Sequence, residues 1–515
     1  MASRSSLYIA IGLATLAAIL AVHAGEGMRY VVLAVTVALA AWSLRQPAVG
    51  LVAALPLMYM INPTPTTVGW REFGFAITIT VAGLSSIWRH RSMLAGLPRA
   101  GCIWLSIVTG WFVLNFFTAF WNGVSVADWV RGAAPFVFMS YFLPIWLEAR
   151  ANRVFAHGWQ WAAGIAAALF SWHVVQVYVG EQLWRPATYI FDNGTWISMG
   201  YAEAQALGKQ VFEFAIRVTQ RLQQATDTLL CLGVVWGAWA SLWLSNWLLR
   251  MLGLGLSILA TTAIVLTYTR SMLLSSFLVA LVLMLVAIRR GGAKRVVVLF
   301  LALVATGAGT ITGFNLEAIY LNRLVQMQEQ ASVSFDASPN QGKEGMAASS
   351  VDGSIASLRA PTPLQSAMPG KMEGQPKDAN IASRMEEYRI AWDHFRASPL
   401  VGHGLGVQHN IRFDAGNGEW LDTRVGYVHN WVMYVLMTGG LLGLGVYAAV
   451  LFGPAVLAWR RCPRESGLPE LTFATVAVMA VYGLFFAVFR LIPFNLVLGG
   501  MWGLLLGVQR EHARG

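Results

Sequence analysis

Apolar stretches long enough to cross a membrane recur along nearly the whole of this 515-residue chain, and they fix the fold class before any single residue is considered. A helix needs about 20 apolar residues to span the hydrocarbon core. Hydropathy marks fourteen candidates, near 7–23, 30–44, 48–62, 72–88, 102–121, 132–148, 154–179, 223–244, 250–268, 271–288, 296–313, 429–458, 470–488 and 493–509. Only 12% of residues are charged, where a soluble domain carries about 25%. Inside a bilayer each crossing must satisfy its own backbone, which a helix does. The expected fold is therefore all-α: a polytopic helical membrane protein of about fourteen transmembrane helices.

The net charge of +11 invites a nucleic-acid reading. The placement of the arginines argues instead for a lipid bilayer as the partner. With the N-terminus inside, the connections "LRQP", "WRHRSMLAGLPRAG", "EARANR", "SNWLLR", "RRGGAKR" and "WRRCPRESGLPE" and the tail "QREHARG" all carry Arg on the cytoplasmic side. The short external connections carry one basic residue each, as positive-inside insertion requires. Both termini are then expected in the cytoplasm. The N-terminal run lacks a small-residue cleavage site and reads as an uncleaved span. Cys102, Cys231 and Cys462 have neither metal-ligand spacing nor a disulfide pattern.

Five regions follow. Helices fill 1–180, and an external loop over 181–222 carries the helix-prone "KQVFEFAIRVTQRLQQATD". Helices return over 223–313, a large external loop spans 314–428, and the last helices occupy 429–509. Within the large loop, about 333–380 is poor in aromatics and rich in Ser, Ala, Gly and Pro, the composition of a flexible insertion. A helix is expected over 383–397, with Ser383 and Glu386 as a capping box.

A few polar residues stand out on the external side. Arg270, in "LTYTRSMLL", stands where two spans abut, on the side where positive-inside bias does not call for a cation. Alone it would read as a snorkelling or ion-paired arginine, but a guanidinium also meets phosphate oxygens bidentately. Arg384 falls in the expected first turn of the loop helix, where free N–H groups favour an anion. Arg389 and Arg396 share that helix with weaker claims. Arg217 and Arg221 form a pair four residues apart whose simpler role is attraction to lipid head groups. His429 and Asn430 open the twelfth candidate span. A lone interfacial histidine is usually an anchor, yet near arginines of this kind it can take a proton from a hydroxyl. His403 and His409 compete for that role, and no acidic cluster beside them completes a metal site.

The chemistry implied is transfer from a phosphate-activated lipid donor. Arginines would hold its pyrophosphate in place of a metal, with no cofactor, and His429, as the catalytic residue, would orient or deprotonate the acceptor hydroxyl.

Three stretches, in this order, resemble the O-antigen ligase and O-antigen polymerase superfamily of bacterial membrane glycosyltransferases. They are "TYTRSMLL", with Ser271 where the family has glycine, then "SRMEEYRIAWDHFRASPLVGHGLG", then "VHNWVMYVLMTGGLLGL". The resemblance covers about 260–450. It implies a multi-helix C-type glycosyltransferase of the cytoplasmic membrane with a periplasmic active face, metal-independent and inverting. The donor would be an undecaprenyl-pyrophosphate-linked glycan and the acceptor a lipid-linked repeat unit or lipid A-core. Arg270 and Arg384 would contact the donor pyrophosphate and His429 would serve the acceptor, with Asn430 and His403 in support. A lipid-linked oligosaccharide flippase would share the many spans and the arginines. Against it, the chain shows no internal repeat of the kind from which many transporters are built.

Overall fold

The computed structural model describes residues 2–61, 69–180, 188–192, 195–199, 226–267, 269–314, 379–414, 420–463 and 466–508. The protein is an all-α polytopic membrane protein. Helix α1 (Arg4–His23), α2 (Arg29–Arg45), α3 (Pro47–Leu57), α4 (Trp70–Arg89), α5 (Arg99–Trp121), α6 (Val126–Val137), α7 (Phe142–Ala151) and α8 (Arg153–Gly180) form the first half. After a hairpin of β1 (Thr188–Asp192) and β2 (Thr195–Met199) come α9 (Thr226–Trp243), α10 (Trp247–Leu266), α11 (Arg270–Arg289) and α12 (Ala293–Gly313). Then follow α13 (Ala379–Ala397), a second hairpin of β3 (His409–Asp414) and β4 (Trp420–Val425), α14 (Trp431–Arg461), α15 (Leu468–Gly483) and α16 (Ile492–Val508).

Among the described residues, eight helical stretches are long and apolar enough to cross a membrane: α1, α2, α5, the α6–α7 run, α10, α11, α12 and α14. Four more apolar helices, α3, α9, α15 and α16, are shorter. Helices α4 and α8 stand at the two remaining stretches marked by hydropathy. Large apolar side chains such as Trp88, Phe117, Phe120 and Trp247 point outward, as they must where the solvent is lipid. Helices approach closely where glycines allow it. A Cβ on Gly237 of α9 would lie 2.4 Å from the carbonyl oxygen of Gly253 in α10, the small-residue packing that membrane helices use.

The feature that positions the site is a break in α14. Gly440 takes φ 59° and ψ −158°, so the helical ladder stops there. The turn after α13 fills the gap. Leu441 and Leu442 N–H groups donate to the Pro399 and Leu400 carbonyls at 2.9 and 3.1 Å, and the His403 and Gly404 N–H groups donate to Met437 and Thr438 at 2.9 Å. Buried Asn115 of α5 donates to the Thr438 carbonyl and accepts from Leu405 N–H and Trp129 Nε1–H. A broken membrane helix is tolerated only when its freed groups find such partners. Gly404, at φ 90°, has no room for a side chain, since a Cβ there would sit 2.3 Å from that of Ala119. The glycine-rich turn is thus a plug welded into α14, and it fixes the first turn of α14 beside α13.

Three expectations change. The loop helix begins at Ala379, four residues before Ser383, because the preceding Ala-Asn-Ile-Ala segment is itself helical. The Ser383–Glu386 capping box is therefore inside the helix, and Glu386 pairs with Arg389 instead. Arg384 consequently lies in the second turn and not at the N-terminus. Residues 333–378 of the expected insertion, the 200–222 helical stretch, and Arg217 and Arg221 lie outside the described residues.

Candidate functional site

The site forms where the third turn of α13 meets the start of α14. Glu387 faces inward from α13, with 5% of its side chain exposed. Its Oε2 accepts the backbone N–H of His429 at 2.9 Å, and both carboxylate oxygens lie 2.8 Å from His429 Nδ1. Tyr388 Oη donates to the His429 carbonyl at 3.3 Å. The imidazole is held edge to face between Tyr427, 4.9 Å away, and Phe486, 5.8 Å away. The backbone and Nδ1 are therefore fixed by Glu387 and Tyr388, and two aromatic rings hold the imidazole. Nε2 is the ring nitrogen left for another partner.

Asn430 explains the local backbone. As N-cap of α14, its Oδ1 accepts from the Val432 and Met433 N–H groups at 2.9 and 3.2 Å, an interaction typically worth about 1 kcal/mol. The sequence His-Asn thus places the imidazole one residue before the cap of a rigid helix. Arg384, one turn before Glu387 on α13, donates from Nη1 to the Phe485 carbonyl at 3.3 Å. This ties α13 to the α15–α16 connection, which also supplies Phe486.

The electrostatics follow from burial. Desolvation pushes the Glu387 carboxyl up to about 7, with the Arg384 charge holding it down against that trend. The Tyr427 hydroxyl is likewise raised by burial, opposed by Arg490 and Arg384 and reinforced by Glu387. Once Glu387 is ionised it accepts the Nδ1 proton, and Nε2 becomes the basic nitrogen. A buried carboxylate that orients and polarises an imidazole is the arrangement by which a histidine serves as general base.

Arg270 stands at the N-terminus of α11, next to the Thr269 cap. The Arg290–Glu470 ion pair ties the far end of α11 to the start of α15. The near end of α11 therefore lies at the same end of the bundle as the α15–α16 connection and the His429 site. Arg389 is spent elsewhere: its guanidinium grips Glu386 at 2.6 and 2.9 Å and Asp393 at 3.3 Å on the exposed face. His403 belongs to the plug through its backbone, and its ring lies 4.9 Å from His394. His409 is buried beside His394 and is pushed down to about 4, chiefly by desolvation. It therefore stays neutral but has no described contact with His429. Among the described residues, no three His, Cys, Asp or Glu side chains are grouped to hold a metal.

Glu387 is not among the residues expected from sequence, although Arg384-x-x-Glu387 places both on one helix face; the neighbouring Glu386 has the spacing of a cap with Ser383. Arg490 is also not among them; its guanidinium lies 4.5 Å from the centre of the Tyr427 ring.

No curated protein matches the chain. Residues 255–448 match the family model described as O-antigen ligase. That segment runs from within α10 to within α14 and takes in Arg270, Arg384, Glu387, the plug, His429 and Asn430. Through this region the chain is similar to the O-antigen ligase family.

Proposed function

We propose that this chain transfers an undecaprenyl-pyrophosphate-linked glycan to a sugar hydroxyl on the periplasmic face of the bacterial cytoplasmic membrane. The observation that carries the reading is the His429–Glu387 pair, set one residue before a helix cap and flanked by Arg384. The acceptor hydroxyl oxygen attacks the anomeric carbon from the side opposite the pyrophosphate. Its proton passes to His429 Nε2 while Glu387 accepts the Nδ1–H and balances the imidazolium. The anomeric C–O bond breaks and its electron pair leaves on the lipid pyrophosphate. A single displacement of this kind inverts the anomeric configuration. Arg384 and Arg270 neutralise the leaving group in place of a divalent metal, since a guanidinium carries a permanent charge and binds phosphate bidentately.

The orientation is supported by the arginine asymmetry of the connections, which puts both termini in the cytoplasm and residues 314–428 outside. The length of that segment and the rim position of His429 suit a meeting of a membrane-anchored donor with a hydrophilic acceptor. The deciding experiment is the size of the lipid-linked glycan in a deletion strain complemented with wild type or His429→Ala. Single repeat units accumulating outside the membrane mark a polymerase, and finished polymer stranded on the lipid marks a ligase. Units trapped on the cytoplasmic face would mark a flippase and overturn the reading.

A further inference from the structure

We propose that Arg490 is a further donor-binding residue, a guanidinium that the α15–α16 connection delivers to the phosphate side of the His429 site, with the Tyr427 ring as its platform. The inference rests on the transferase reading above and extends it beyond residues 255–448, because Arg490 lies outside the family match. The geometry is as follows. Arg490 ends a short 3-10 turn, Val488–Arg490, between α15 and α16. Its guanidinium carbon lies 4.5 Å from the Tyr427 ring centre, and the same ring meets the His429 imidazole edge to face at 4.9 Å. One aromatic side chain therefore separates this cation from the base by a single ring. The connection is locked in place: Arg384 bonds the Phe485 carbonyl, Phe486 packs on His429, and buried Asn495 of α16 donates to the Phe489 carbonyl at 2.8 Å.

Among the described residues the Arg490 guanidinium has no hydrogen bond and no ion pair, and its aromatic contact leaves the five N–H donors of the planar fork unused. The positive-inside rule does not call for it, since "FRLIPFN" falls on the expected external side. A cation stacked on one face of an aromatic ring keeps its edge for an oxyanion. With Arg384 of α13 bonded to the same connection, two guanidinium groups from different elements act on Tyr427, a pairing suited to a pyrophosphate and more than a single phosphate requires.

The test uses the full-length protein in detergent micelles, with farnesyl pyrophosphate and farnesyl monophosphate as probes in equilibrium binding. Wild type should bind the pyrophosphate saturably and in preference to the monophosphate. Arg490→Gln should weaken pyrophosphate binding about tenfold, the loss of one charge-assisted contact, and flatten the preference. Arg490→Lys, which keeps the charge, should lose about threefold and preserve the thermal unfolding midpoint. Arg29→Gln removes another external arginine, also stacked on a neighbouring tyrosine, and should change nothing. Unchanged pyrophosphate binding by Arg490→Gln beside a binding-competent wild type would overturn this assignment alone. Absence of saturable binding by the wild type would overturn the transferase reading with it.

Discussion

Among the described residues, two histidine–carboxylate pairs lie at opposite ends of the bundle. At one end His90, at the close of α4, places Nε2 3.1 Å from Glu148 Oε1. At the other, His429 Nδ1 meets Glu387 at 2.8 Å. The ends are distinct because α5 runs from Arg99, a few residues beyond His90, to Trp121, where Gly404 and Gly406 of the plug pack against Ala119 and Asp128. Both carboxylates are 5% exposed, so burial alone does not tell them apart. What differs is the surroundings. Glu148 is additionally bonded by Ser86 Oγ, and its pair stitches α4 to α7. Glu387 spends its second bond on the backbone of His429 itself, and every other contact of that ring fixes its orientation. A carboxylate that divides its bonds between two residues of a neighbouring helix serves packing, whereas one that bonds the same residue twice aims a side chain.

The largest expected effect separates the pairs directly. His429→Ala should lower glycan transfer by about 10²–10⁴-fold, the usual contribution of a general base. His90→Ala should leave transfer per folded molecule within about twofold and lower the unfolding midpoint. Equal losses of transfer in an assay with purified lipid-linked donor would erase the distinction. Next come the arginines. Arg270→Lys and Arg384→Lys should each reduce transfer about tenfold or more, because an ammonium cannot reproduce a bidentate grip. Arg389→Lys should cost little, since its partners are Glu386 and Asp393 on an exposed face. A fully active Arg270→Lys variant would remove Arg270 from the donor site.

The same contrast shows what could be read from sequence. Fold class was legible because hydropathy and arginine asymmetry are long-range properties that no single contact can overturn. His429 and Arg384 were legible as polar residues placed where bland explanations ran short. Glu387 was not, because its role depends on α13 packing against α14, and that packing depends on the plug. A sequence shows the glycines at 402, 404 and 406 but not that they enter a break at Gly440. Arg490 was hidden for a related reason: it is 61 residues from His429 in the chain and joins it only through Tyr427. The true start of α13 was missed because Ser383 and Glu386 have the spacing of a cap, and Ala379–Ala382 carries no competing signal.

Subtler, and sharper as a test of the pairs, is the pH dependence of Glu387. Its folded-state value near 7 stands above the ordinary 4.5 because burial disfavours the charge. Between those values the folded protein holds a proton that the unfolded chain has released. Stability should therefore be greatest below about pH 4.5 and decline as pH rises through 7, by up to about 3 kcal/mol. Transfer should run the opposite way, rising through pH 7 as the ionised carboxylate takes up the Nδ1–H. Glu387→Gln should flatten both curves, reducing transfer about tenfold while raising the unfolding midpoint above neutral pH. Glu148→Gln should leave the acid limb of the transfer profile where it is. If Glu387→Gln keeps that limb, then the proton that matters is not held by this carboxylate, and the two pairs differ only in position.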